Sequence, residues 1–187
     1  MADQTLVGFA GRMGAGKTAA AAAVAGGGHA VRCSFAEPLR RVLAALTGVP
    51  PELTRTAAHK ARRIPGWDMT VGQALQKLGT DAIRNHFHAD AWVIAALGEY
   101  DRAVGSRDGL PQVWVFDDVR FPNEVQAILD RGGRVFRVVR PDAPPAAETR
   151  DPGHPSETAL DATALPVIVN AGSLDAFTAA VRTAVLS

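Results

Sequence analysis

Near its start the chain reads Leu6-Val-Gly-Phe-Ala-Gly11-Arg-Met-Gly14-Ala-Gly16-Lys17-Thr18. A short apolar run gives way to glycines and then to a lysine and a threonine, with the spacing of a phosphate-binding loop. Glycines let successive backbone amides turn inward around an anion, because no Cβ blocks the approach. The preceding residues are strand-like, and the alanine-rich residues that follow are helical in character. The stretch therefore predicts an α/β fold that binds a polyphosphate.

The residues of this loop have separate expected roles. The lysine of such a loop reaches the β- and γ-phosphates, and the hydroxyl after it holds Mg²⁺. The start of the following helix adds unpaired amides and the positive end of the helix dipole. The predicted nucleotide and metal contacts are Gly11, Arg12, Met13, Gly14, Ala15, Gly16, Lys17 and Thr18.

Length and composition exclude several classes of protein. A chain of 187 residues suits one α/β domain and is too short for two full ones. Lysine plus arginine (20) nearly balance aspartate plus glutamate (19), so no global field attracts a nucleic-acid polymer or an anionic membrane. The single cysteine, Cys33, excludes an internal disulfide and is typical of a reducing cytoplasm. No run of 18 apolar residues occurs, so we expect a cytoplasmic, unexported protein.

A second strand is expected at residues 30–35, followed by Ser34-Phe-Ala-Glu37-Pro-Leu-Arg40. Ligands of open α/β sheets bind beyond the carboxyl ends of the strands, which makes Glu37 and Arg40 candidate site residues. Residues 48–67 then interrupt the strand-helix rhythm with prolines and basic side chains. They read either as a mobile acceptor-binding part or as a basic solvated face. Trp67 at its end could stack on a base or fill a local apolar gap.

A capping box at Thr70-Val-Gly-Gln73 predicts the start of a helix. Its expected buried stripe is Leu75, Leu78, Ala82 and Ile83, which places Arg84 away from the densest apolar line. A second helix is expected at residues 89–104, with Trp92, Val93, Ala96, Leu97 and Tyr100 on its apolar face. His86 and His88 have a poor helical spacing for a shared metal, so we expect both at the surface.

Another informative stretch is Val113-Trp-Val-Phe-Asp117-Asp118-Val-Arg120. It reads as a strand buried on both faces that ends in two carboxylates and an arginine. One of the two acids would orient Mg²⁺ or its water shell, although such a pair can also cap the next helix. That helix is expected from Pro122 to Leu129.

The last third predicts two more strands, at residues 134–139 and 165–170, and a final helix after Ser173. Leu174, Phe177, Val181 and Val185 should lie on the buried face of that helix. Between the strands, residues 141–158 are polar and proline-rich, and they form either a lid or a simple tether. Arg150 and His154 are candidates to close over the phosphates.

These pieces predict a three-layer α/β fold of the P-loop NTPase type, with a five-stranded parallel sheet and right-handed crossovers. Residues 1–47 and 106–187 would form the core, residues about 48–105 a helical acceptor-binding insertion, and residues about 141–158 the lid.

Several motifs together resemble a known family, the deoxynucleoside monophosphate kinases of bacteriophages, including that of the T-even phages. They are the loop from Gly8 to Thr18 and the four segments Ser34-Phe-Ala-Glu37-Pro-Leu-Arg40, Leu75-Gln-Lys-Leu-Gly79-Thr80-Asp81-Ala-Ile-Arg84, Asp118-Val-Arg120-Phe-Pro-Asn-Glu124 and His154-Pro-Ser-Glu157. The likeness extends from the first strand to the lid.

The resemblance implies transfer of the γ-phosphoryl group of ATP to a deoxynucleoside monophosphate, with Mg²⁺ as cofactor, for phage DNA synthesis. It implies that Lys17 and Thr18 hold ATP and magnesium and that Arg40, Arg84 and Arg120 grip the acceptor phosphate. The family often carries aspartate where this chain has Glu37, whose implied role is magnesium orienter or acceptor base. Expected base contacts are Trp67 and Gln76, and Arg150 joins the catalytic group. Both a monomer and a homodimer remain open.

Two other functions share part of this pattern. Dephospho-coenzyme A kinase has a similar layout and would share the loop, the lid and the fifth strand. A nucleotide-dependent switch or ATPase would share the loop, but the chain contains no Asn-Lys-x-Asp sequence and no Asp-x-x-Gly after Asp118. The motifs around Thr80 and Arg120 favour the nucleotide kinase.

Overall fold

The computed structural model describes residues 5–26, 30–106, 113–141 and 155–186. The strands in these ranges are Thr5–Ala10 (β1), Ala30–Cys33 (β2), Arg63–Ile64 (β3), Trp67–Thr70 (β4), Val113–Val119 (β5), Arg134–Val139 (β6) and Val167–Val169 (β7). The α-helices are Lys17–Ala25 (α1), Ala36–Thr47 (α2), Ala57–Ala61 (α3), Val71–Gln76 (α4), Ala91–Ser106 (α5), Pro122–Leu129 (α6), Pro155–Thr158 (α7) and Leu174–Leu186 (α8). A 3₁₀ turn at Pro51–Thr54 and a π-helical segment at Lys77–Arg84 complete the set.

The main sheet has five strands in the order β2-β5-β1-β6-β7. All four neighbouring pairs are parallel. The predicted five-stranded parallel sheet is therefore confirmed, and β1 lies at its centre. Because all strands run the same way, the loop after β1 and the carboxylates at the end of β5 lie at one edge.

Helices cover both faces of this sheet. Val7 and Phe9 of β1 pack with α1 and α8 on one side, whereas Leu6 and Ala10 pack with α5 and α6 on the other. This double burial explains why β1 and β5 read as nearly continuous apolar runs, and it confirms the three-layer architecture. The prediction that Leu174 lies on the buried face of α8 is wrong. Leu174 is the first residue of the helix and is 66 % exposed.

Residues from α2 to α5 form a smaller core, made by Leu39, Leu43, Ile64, Val71, Ala74, Leu75 and Trp92. Strands β3 and β4 form an antiparallel hairpin there, around Gly66 with φ +75°. The sequence did not indicate this hairpin, because its strands are too short to show alternation. The segment packs on α2 and α5.

The capping box at Thr70 is confirmed: the Gln73 amide donates to Thr70 Oγ1 at 3.2 Å, and Gln73 Oε1 accepts from the Thr70 amide at 2.8 Å. The helix then widens into the π-helical segment Lys77–Arg84. Each turn of a π-helix closes over more residues than an α-helical turn, so the α-helical periodicity fails. Consequently Ala82, predicted in the buried stripe, is exposed, whereas the Arg84 side chain, predicted to lie away from it, is only 9 % exposed.

None of the helices in the described ranges combines the length and apolar character that a membrane span requires.

Candidate active site

The loop between β1 and α1 depends on its glycines. Gly11 has φ +138° and Gly16 has φ +107°, backbone conformations that residues with a Cβ rarely adopt. A Cβ on Gly11 would overlap the carbonyl oxygen of Val138, and one on Gly16 would overlap the side-chain amide of Asn170. The neighbouring strands β6 and β7 therefore close tightly around the loop from behind and leave its other side to the cleft.

Asn170 supports the loop and was missed by the sequence reading. It follows β7, and its Nδ2 donates to the Ala15 carbonyl at 2.8 Å. At the loop's other edge, Arg12 forms an ion pair with Asp161 at 2.6 Å. A polar residue directly after the last strand was the available signal for Asn170, because that strand ends at the same edge as β1.

Lys17 lies at the first position of α1 with its ammonium group almost buried. Its Nζ donates to the carbonyl oxygens of Gly11 at 2.7 Å and Arg12 at 2.8 Å. Burial and, to a smaller degree, the positive charge of Arg120 lower the pKa of Lys17 to about 8, against the opposite effect of nearby carboxylates. A cation held in such surroundings gains from an incoming anion.

Asp117 is the carboxylate beside the loop. Thr18 Oγ1 donates to its Oδ2 at 3.3 Å, and Arg32 forms an ion pair with the same oxygen at 2.7 Å. Hydroxyl and carboxylate oxygens are the ligands that Mg²⁺ prefers, usually one or two from the protein with phosphates and water supplying the rest. In the described ranges no three His, Cys, Asp or Glu residues gather as a metal site.

Asp118, the second acid, accepts hydrogen bonds from the residues at the start of α2. Its Oδ1 accepts from the Phe35 amide at 2.9 Å, and its Oδ2 accepts from the Ser34 hydroxyl at 2.6 Å and the Ala36 amide at 3.0 Å. The carboxylate thus fixes the start of α2 to the end of β5. Of the two acids predicted for the metal, Asp117 contacts Thr18 and Asp118 holds the neighbouring loop.

Two connected cavities open from this edge of the sheet. The outer cleft, of about 990 Å³, is lined by the phosphate loop together with Lys17, Thr18, Glu37 and Asp117. The inner pocket, of about 90 Å³, continues beneath the insertion and is lined by both polar and apolar side chains. Its polar wall includes the predicted residues Arg40, Gln76, Arg84, Asp118 and Arg120. Arg40 and Arg120 line both cavities, so guanidinium groups from distant segments share one cleft with the loop.

Glu37 lies among arginines in the outer cleft. It pairs with Arg40 at 3.2 Å, with Arg55 at 2.8 Å and with Arg41 at 3.9 Å. Arg40 also donates to Ser34 Oγ at 2.8 Å, which connects it to the Asp118 network. Because Arg55 belongs to the insertion, Glu37 joins that segment to α2.

The other two predicted arginines are also paired with carboxylates. Arg84 forms a buried ion pair with Glu124, and Arg120 forms one with Glu157 of α7. The Arg84 guanidinium lies 4.0 Å from the centroid of the Phe121 ring. All three pocket arginines are therefore held by acids of this chain.

Some predicted residues lie elsewhere. Trp67 is 41 % exposed in β4 and is absent from the linings of both cavities. His86 and His88 are exposed, as expected. Arg150 and His154 lie outside the described residues, as does most of the predicted lid.

Several residues of the cleft had been given no role: Ser34, Arg55, Lys60, Glu124, Glu157 and Asn170. Glu124 and Glu157 are the last letters of two motifs quoted above, so their signal was present but unassigned. Arg55 and Lys60 belong to the basic run, whose charge alone did not indicate which members face the cleft.

The comparisons with known proteins agree with this geometry. A family model described as deoxynucleotide monophosphate kinase matches residues 52–181. The match covers the insertion, β5 with its two acids, and the strands and helices that follow. No curated protein matches the sequence.

Proposed function

The chain belongs to the deoxynucleotide monophosphate kinase family, and from that premise we propose that it transfers the γ-phosphoryl group of ATP to a deoxynucleoside 5′-monophosphate. The observation that carries the proposal is the cleft that Lys17 and the phosphate loop share with Arg40 and Arg120, next to the inner pocket that Arg84 lines with the same two arginines. Phosphoryl transfer requires two polyanions to meet in line, and positive charge from separate segments lets them do so.

On the donor side, the loop amides and Lys17 hold the β- and γ-phosphates of ATP. Thr18 and Asp117 fit Mg²⁺, because their adjacent oxygens face the cleft. When bound, the ion neutralises charge on the β- and γ-phosphate oxygens. Lys17 exchanges its two carbonyl partners for phosphate oxygens, which compensates the buried ammonium group better than neutral carbonyls do.

On the acceptor side, the inner pocket contains two buried donors without partners among the described residues, Arg40 Nε and Gln76 Nε2. Unpaired buried donors are costly, so a ligand that accepts hydrogen bonds is favoured at both positions. We assign Arg40, Arg84 and Arg120 to the acceptor phosphate, since each guanidinium can take two phosphate oxygens at once. We assign Gln76 to the base and give Trp67 no role, because it lies away from both cavities.

In the reaction, an oxygen of the acceptor phosphate forms a bond to the γ-phosphorus while the bond from that phosphorus to the bridging oxygen of ADP breaks. A phosphomonoester has a second pKa near 6 and is largely a dianion at neutral pH, so no base is needed to activate it. Glu37 is therefore better suited to orienting Arg40 and Arg55 than to accepting a proton. Water must be excluded to prevent hydrolysis of ATP, and we propose Arg150 for this closure because it lies in the segment that the sequence predicts as a lid.

The proposed setting is the cytoplasm of a phage-infected cell, where the diphosphate product serves DNA synthesis. This part rests on the resemblance to the phage enzymes.

The direct test is ADP release from ATP and Mg²⁺ with a panel of deoxy- and ribonucleoside monophosphates and dephospho-coenzyme A, with Lys17→Met as the inactive control. We expect conversion of at least one deoxynucleoside monophosphate to its diphosphate, identified by chromatography. Conversion of dephospho-coenzyme A alone would assign the other kinase function, and ATP turnover that ignores every acceptor would indicate an ATPase.

A further inference from the structure

Glu124 occupies an unusual position for a carboxylate. It lies in the first turn of α6 and is 2 % exposed. Its Oε2 accepts from the backbone amides of Arg120 at 2.7 Å and Phe121 at 3.2 Å. Its Oε1 accepts from Arg84 Nη2. Each carboxylate oxygen is therefore bonded to a part of the chain that carries a pocket arginine.

The two arginines come from different layers of the molecule. Arg84 ends the π-helical segment of the insertion, and Arg120 follows β5 in the core. Arg84 also donates to the Ala89 carbonyl at 3.3 Å, but its guanidinium stacks on Phe121, whose own amide is held by Glu124. One carboxylate thus fixes the backbone under Arg120 and the side chain of Arg84 together.

The position of the Arg84 guanidinium depends on the charge of Glu124. Burial is the main cause that raises the pKa of Glu124, and the charge of Asp118 raises it too, whereas Arg84 and the amides of Arg120 and Phe121 lower it; the net pKa is about 7. Arg84 is the strongest of the influences that favour the ionised carboxylate. Loss of its charge would leave the buried guanidinium without a counter-charge and free to turn away from the pocket.

We propose that Glu124 is a positioning residue that holds Arg84 and Arg120 at the fixed spacing needed to grip the acceptor phosphate. Glu124 is only 2 % exposed, and both of its carboxylate oxygens are occupied by donors of the chain, so it acts through the two arginines. The inference rests on the proposed kinase function and adds a residue to its acceptor side. Among the described residues, the side-chain hydrogen bonds of Glu124 lead to Arg84, Arg120 and Phe121 and not to the phosphate loop, so the inference concerns the acceptor side.

The test is steady-state kinetics of Glu124→Gln, which keeps the shape of the side chain and removes its charge. We expect the KM for the deoxynucleoside monophosphate to rise about ten- to a hundredfold, as for loss of a charged hydrogen bond, while the KM for ATP changes less than about twofold. Asp130→Asn is the matched control, because it makes the same chemical change on an exposed part of the same helix region. It should leave both constants unchanged.

Glu124→Asp provides a second variant if the glutamine protein does not fold. It keeps the charge but shortens the side chain, so positioning predicts a raised acceptor KM with a normal ATP KM. An acceptor KM equal to that of the native chain in the folded variant, or equal losses for both substrates, overturns the inference. If the native chain converts no monophosphate, the proposed function fails instead, which is a distinct result.

Discussion

The two neighbouring acids of β5 offer a sharp test of the site, because replacement of each by asparagine should have a different consequence. Asp117 contacts Thr18, and Asp118 binds the start of α2. We predict that Asp117→Asn raises the Mg²⁺ concentration needed for half-maximal activity at least about tenfold, as for loss of a metal contact. Asp118→Asn should instead lower the stability of the fold and leave the Mg²⁺ requirement unchanged.

The expected stability loss follows from the hydrogen bonds. An asparagine at 118 keeps one oxygen for the Phe35 amide but places an NH₂ group where Oδ2 accepts from Ser34 and Ala36. Ser34 cannot turn to accept from it, because its oxygen already accepts from Arg40 at 2.8 Å and from the Ala36 amide at 3.2 Å. The Ser34 hydroxyl loses its acceptor, and the Ala36 amide keeps only its longer bond to Ser34 Oγ, which together cost about 2 kcal/mol. Asp117→Asn loses a half-exposed ion pair with Arg32, worth less than about 1 kcal/mol.

Urea unfolding followed by circular dichroism measures the first difference, and Mg²⁺ titration of ADP release measures the second. Each variant is the control for the other, since both make the same chemical change at adjacent positions. A shifted Mg²⁺ requirement in Asp118→Asn with a normal one in Asp117→Asn would refute the assignment. Equal stability losses would show that the Asp118 network contributes little.

Three further predictions concern the loop and the acceptor side. Lys17→Met should lower the transfer rate by about a hundredfold or more. It should also stabilise the fold by about 3 kcal/mol at pH 7 in urea unfolding, because the native pKa of Lys17, about 8, lies below the ordinary 10.5 and the buried charge therefore destabilises the native chain. In the native chain this destabilisation should fade as the pH rises from 8 to 10.5. A variant that is less stable than the native chain at pH 7 would contradict the reasoning. Gly11→Ala should cost about 2 kcal/mol or more in the same assay through its positive φ and the clash with Val138, whereas Gly48→Ala, also at positive φ but in open space, should cost about 1 kcal/mol. Arg120→Ala should raise the KM for the monophosphate and leave that for ATP, so normal monophosphate kinetics would remove Arg120 from the acceptor site.

Local signals in the sequence were sufficient for most elements. The glycines and Lys17 predicted the loop, the Thr70 capping box predicted the start of α4, and Pro122 marked the start of α6. These signals are short-range, since they depend on backbone conformation or on hydrogen bonds within a few residues. Prediction failed where the helix geometry changed, as at Ala82 in the π-helical segment, because a hydrophobic pattern is read with an assumed period.

The resemblance supplied the arginines of the acceptor side but not their partners. That Arg40, Arg84 and Arg120 line one pocket agrees with the expectation, whereas their pairing with Glu37, Glu124 and Glu157 was not foreseen. Ion pairs such as Arg84 with Glu124 join residues far apart in sequence, and no local pattern specifies which acid faces which base.

By itself, the sequence determined that this chain forms a parallel α/β sheet with a phosphate loop after its first strand, because glycine conformation and apolar periodicity act over a few residues. Only the tertiary structure decided which partner each carboxylate at the edge of the sheet has. Asp117 contacts Thr18, Asp118 binds the start of α2, and Glu124 binds the side chain of Arg84 and the backbone of Arg120. Neighbouring carboxylates are chemically identical, and their tasks differ only through the donors that folding brings to each one.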